Sequence, residues 1–104
     1  MLYFLDFHVT YSADMSQNDL FTIWAEEAGA ALGAKEAGAV VDLWKCAGER
    51  RVIAIVDLDG PDTLDQILMD LPIMQKMGQH VDVKVSALRR YEDFAADVKE
   101  RLNR

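Results

Sequence analysis

Glu27 occupies the most chemically suggestive position in this sequence. Leu20, Ile23, Trp24, Ala28, Ala31 and Ala34 recur at helical spacing. Glu27 falls four residues after Ile23 and seven after Leu20, inside that apolar stripe. Burial disfavours the charged form of a carboxylate and raises its pKa toward neutrality. A general base or acid needs that tuning. The plainer alternative is a carboxylate at the stripe's edge, reaching water or pairing with a lysine. Glu26 projects off the stripe and reads as a solvated charge.

His8 is the second candidate base, because imidazole exchanges protons near neutral pH. It shares a strand face with Asp6 and Phe4, and Asp6 is close enough along the strand to orient it. Trp44 and Lys45 are adjacent on a later strand and point to opposite faces. Trp44 suits the wall of a pocket for a flat substrate, and Lys45 suits a substrate carboxylate. The expected site therefore has Glu27 and His8 as catalytic residues, with Trp44, Lys45, Asp6 and Trp24 binding substrate. Cys46 reads as a small hydrophobe. Arg50 and Arg51 read as solvated hairpin cations, His80 as a solvent-facing loop residue, and Asp82 and Lys84 as a polar sheet face. Two histidines so far apart lack metal-ligand spacing, so no metal is expected. There is no GxGxxG, GxxxxGK[ST], GxSxG or HExxH run, and no cofactor is expected.

These residues need elements to hold them. Residues 2–10 read as a strand, with Tyr3, Leu5, Phe7 and Val9 on one face and Phe4, Asp6, His8 and Thr10 on the other. Ser16 followed by Asp19 is a capping signal, and a long helix is predicted from Gln17 to Glu36, closed by Gly38. Residues 39–46 and 52–58 read as strands joined by a hairpin at Gly48, the second being the central one. Pro61 opens a helix with a Leu64, Ile67, Leu68, Leu71 stripe, which Pro72 ends. Residues 73–80 are expected to be a loop, and 81–88 a half-exposed strand. A last amphipathic helix carries Tyr91, Phe94, Ala95, Val98 and Leu102. The order β-α-β-β-α-β is the ferredoxin-like α+β arrangement, with a four-stranded antiparallel sheet and two helices on one face. The expectation is one domain, a core over 1–88 and an extra C-terminal helix over 89–104. Phe4, Ile53 and Ile55 cannot all pack under helices, so a homodimer is expected, its two sheets meeting as an α/β barrel.

Composition narrows the functional classes. The chain has 104 residues, one cysteine and a net charge of -7. A lone cysteine excludes a disulfide framework and a thiolate zinc site. The acidic balance argues against nucleic acid, whose phosphates call for Lys and Arg. No apolar run approaches the roughly 20 residues of a membrane span. Met1 to Leu5 is apolar but lacks a basic flank, so a signal peptide is not expected and a cytoplasmic location is.

The sequence resembles the muconolactone delta-isomerase family. The likeness is carried by Met1-Leu2, an apolar residue at Phe7, Val9, Asp14-Met15, Glu27, Gly38, Leu43-Trp44-Lys45, Gly48, Asp57, Asp62-x-Leu64, Leu68 and Leu71-Pro72. It runs nearly without gaps to about Ile73 and loosely to Leu88. The chain departs from the family pattern at Asp6, Ala28, Asp42 and near Tyr91, and in its charged C-terminal helix. The resemblance implies a ferredoxin-like fold that assembles through dimers into larger rings. It also implies a cofactor-free isomerase of aromatic-acid catabolism, acting on a small anionic lactone. Proton transfer would move a double bond, with Glu27 as the shuttle. Two other classes fit the same fold: a cofactor-free monooxygenase, and a non-catalytic ligand-binding or assembly module. A pocket lined by Glu27 between the first helix and the sheet separates the enzyme readings from the last.

Overall fold

Alternation along the first strand sets the layers of the molecule. In the computed structural model, which describes residues 1–104, β1 (Leu2–Val9) buries Tyr3, Leu5 and Val9 on one face. It pairs antiparallel with β3 (Arg51–Asp57) on one side and β4 (Val81–Leu88) on the other. β3 pairs in turn with β2 (Val40–Lys45), giving the antiparallel order β2-β3-β1-β4. Both central strands are therefore apolar ones, and the most hydrophobic segment lies inside the sheet as expected. The hairpin between β2 and β3 turns through Gly48, whose φ of +78° lies in the left-handed region.

The helices cover the Tyr3–Leu5–Val9 face. α1 (Gln17–Glu36) starts at a capping box: Ser16 Oγ accepts from the Asp19 N–H, and the Asp19 carboxylate accepts from the Ser16 N–H, both at 3.0 Å. It ends just before Gly38, whose φ is +93°. α2 (Pro61–Asp70) has proline in its first turn. Residues 73–80 are not the expected loop. Pro72 stops α2 and at once opens a second short helix, α3 (Pro72–Met77), followed by a 3-10 turn over Gly78–His80. Ile73 and Met77, four residues apart, are both buried, and this one-sided burial drives the segment to helix.

The core divides into two lobes. Tyr3, Leu5, Ala54, Val56 and Leu64 form one under α2. Val9, Leu20, Ile73, Met77 and Val81 form the other under α1 and α3. Phe7 touches both. α1 packs on α3 and β2 and has no comparable packing on α2, so α1 and α2 straddle a gap over the sheet.

The opposite face of the sheet carries Phe4, Ile53 and Ile55, which nothing in the chain covers fully. α4 (Tyr91–Leu102) forms as expected, but it has no substantial packing on any other element. It leaves Tyr91, Phe94, Val98 and Leu102 exposed and stretches the molecule to 61 Å against 26 and 22 Å across. No helix is long and apolar enough to cross a membrane.

Candidate active site

The gap between α1 and α2 is a cleft of about 340 Å³, floored by β1 and β3 and walled by β2. Its size falls in the roughly 300–1,000 Å³ range of small-molecule sites. Twenty-two of its 24 lining residues are hydrophobic, and the two exceptions are Glu27 and Lys45. The small side chains of α1 make the cleft possible: Ala28, Ala31 and Ala34 line its helical wall, where larger residues would close it.

Glu27 is half-buried. The only hydrogen bond to its side chain comes from the Ile73 N–H at the start of α3, which donates to Oε2 at 3.4 Å. No cation pairs with it. The nearby lysine of α3, Lys76, pairs instead with Glu26. Desolvation in the apolar cleft pushes the Glu27 carboxyl above the usual carboxylate range, and the Ile73 N–H opposes that only partly. Glu27 is thus not a lysine's partner, and it is half-buried at the cleft.

Trp24 and Ala28 flank Glu27 on the same helix face. Both also border a shallow depression with Phe21 and Lys45, so Lys45 stands beside this end of the cleft. The Lys45 ammonium donates to the Cys46 carbonyl at 2.9 Å. Trp44 is also among the lining residues. It is half exposed, and its pairing with Ile53 gives its side chain the open face of the sheet.

The structure therefore brings Glu27, Trp24 and Lys45 together, leaves Trp44 half exposed, and sets His8 and Asp6 apart. The latter two lie on the open face of the sheet, across β1 from the cleft. Asp6 there is 8% exposed. Arg51 clamps it with two hydrogen bonds of 2.9 Å, and His8 Nε2 lies 3.2 Å from its Oδ1. Arg51, expected to be a solvated hairpin cation, is Asp6's main partner. The β1–β3 register offered the signal, since His8 lies opposite Arg51. No group of three His, Cys, Asp or Glu side chains is placed to hold a metal ion.

The Arg51 guanidinium, with His8, holds the Asp6 carboxyl below its usual value, and the same bond raises the Arg51 pKa. A depressed folded-state pKa stabilises the fold above the unfolded carboxylate pKa, and that stability is lost as pH falls through the folded value. The melting temperature is therefore expected to drop on acidification, and Asp6→Asn to flatten part of that drop. Thermal melts followed by circular dichroism at neutral and acid pH check this. Equal slopes for both proteins would remove Asp6 as a source of acid sensitivity.

Comparison with known proteins gives a consistent picture. The family model described as muconolactone delta-isomerase matches residues 1–93. Among solved structures, a muconolactone isomerase crystal structure matches with a TM-score of 0.73 and 26% identity, covering 86% of this chain and 90% of that one. The hypothetical protein PHS023 from Pyrococcus horikoshii matches more loosely, with a TM-score of 0.49 and 18% identity over 88% of this chain and 95% of that one. A search among curated proteins finds no match.

Proposed function

This chain belongs to the muconolactone delta-isomerase family, and from that premise we propose that it moves a double bond within an unsaturated lactone by proton transfer, without a cofactor. The observation that carries this reading is Glu27: a half-buried carboxylate, unpaired with any cation, facing an open apolar cleft. Its Oε takes a proton from the carbon next to the lactone carbonyl. The C–H electron pair enters a dienolate spanning the carbonyl and the double bond. The protonated Glu27 then returns the proton to the far carbon of that dienolate. One C–H bond breaks and one forms, the double bond shifts, and no atom is gained or lost. The reaction can run in either direction. Dry walls keep the carboxylate basic and shield the dienolate from water. Lys45, the one cation among the lining residues, suits an anionic group on the substrate.

The working unit in this reading is a homo-oligomer built on a dimer that closes over the open sheet face. Only 11 of 104 residues are buried within the single chain. That is a thin core for its size, and Phe4, Ile53 and Ile55 supply apolar surface for a second copy.

Incubation with unsaturated lactone acids, followed by ultraviolet absorbance, tests the reaction. Absorbance is expected to change as the double bond shifts, at the same rate with and without oxygen. A strict oxygen requirement would move the protein to the monooxygenase class. Absence of turnover across the lactones would favour a binding module on the same cleft.

A further inference from the structure

The cleft has a direction, and the strand register measures it. Cross-strand neighbours on the helix-facing side form three successive rows: Lys45–Val52–Phe7, Leu43–Ala54–Leu5 and Val40–Val56–Tyr3. Glu27 belongs to the first end. Its partner Ile73 packs with Val9, beyond the first row, and its neighbours Trp24 and Ala28 share a depression with Lys45. Leu64 marks the other end, packed on Leu5, Ala54, Val56 and Tyr3. Both polar residues of the lining thus sit at one end, and everything beyond them is alkyl. From the first row to the third is four residues of strand, about 13 Å at a rise of about 3.3 Å per residue. The cleft has a volume of about 340 Å³.

A compact acid with polar groups all round leaves such a site half-filled and its own oxygens without partners. We propose that the substrate is a head-and-tail molecule: an unsaturated lactone head held between Glu27 and Lys45, and an unbranched apolar tail lying along the cleft toward Leu64. The proposal rests on the reading of Glu27 as the proton shuttle, and it adds the chemistry of the rest of the molecule. Head placement follows from the two polar residues, and tail placement from the alkyl walls.

The test is a series of butenolides bearing straight alkyl arms of increasing length, with a short carboxymethyl-bearing lactone as comparator. Binding is read by quenching of tryptophan fluorescence in the wild type and in Glu27→Gln, and turnover by absorbance in the wild type. Affinity is expected to rise roughly fourfold per methylene buried, then to level off when the cleft is full. Ala31→Leu, which narrows the cleft midway, is expected to bring that plateau to a shorter arm. Tightening with length in both proteins supports the substrate class whether or not turnover is seen. If turnover is absent in the wild type, the isomerase reading fails alone. Affinity that does not change with arm length overturns the proposal, as does stronger binding of the short acid. So does a plateau that Ala31→Leu does not move, because the tail then lies elsewhere or a second copy fills the cleft.

Discussion

Glu27→Gln is expected to lower kcat by about 10²–10⁴-fold, the usual contribution of a positioned general base, with the fold retained. Glutamine keeps the length and shape of the side chain, and its amide oxygen can still accept from the Ile73 N–H. It cannot take a proton from carbon. Substrate affinity changes little, so the loss falls on kcat and not on KM. The variant also has a pH signature in stability that is independent of catalysis. Burial raises the folded-state pKa of Glu27. A raised pKa favours folding below the unfolded carboxylate pKa, and that advantage is lost as pH rises through the folded value. Above that value the wild type carries a poorly solvated charge that the variant lacks. Glu27→Gln is therefore expected to melt at or slightly above the wild-type temperature at neutral pH, and to lose that lead in acid. The catalytic assignment fails if kcat stays near the wild-type value, and the burial argument fails if the melting difference is the same at both pH values.

Met77→Ala is expected to have the largest effect on stability. Met77 is 0% exposed and closes the lobe formed with Val9, Leu20, Ile73 and Val81. Truncating a fully buried methionine costs about 2–5 kcal/mol, through lost transfer energy and the cavity left behind. For a domain of this size that is about 10–30 °C in melting temperature. The damage reaches the cleft, because α3 carries both Met77 and the Ile73 N–H that meets Glu27. Met77→Leu, which nearly conserves volume, is expected to cost under about 1.5 kcal/mol and to keep activity. Urea unfolding of the three proteins gives the comparison. A Met77→Ala loss no larger than that of Met77→Leu would mean that α3 is held by something other than this lobe.

The long helix was legible because its signals are local. Ser16, Asp19 and Gly38 mark its ends in the sequence, and the structure uses each of them. Glu27 was legible for a related reason: helical spacing alone puts it among Ile23, Trp24 and Ala28. α3 was not legible. Pro72 reads as a stop, and six residues are too few for a period to stand out. Only packing of Ile73 and Met77 under α1 makes that segment a helix. The separation of His8 and Asp6 from Glu27 was within reach of strand parity, since they alternate with the helix-facing Leu5 and Phe7. Treating them as one site with Glu27 set that parity aside. The cleft itself had no signature in the sequence. It exists because α1 and α2 settle on separate core lobes and leave the floor between them uncovered.

β1 serves two surfaces at once. Leu5, Phe7 and Val9 are the floor under the cleft, and Asp6 between them is locked to Arg51 on the reverse side. A strand's side chains alternate with a strict period of two, so slipping β1 by one residue against β3 exchanges the two sets. The slipped strand would lay a carboxylate on the cleft floor and take it away from its guanidinium. The ion pair on the back of the sheet therefore favours the register that keeps the cleft floor apolar. It makes the wrong alignment electrostatically costly at a strand that floors the cleft.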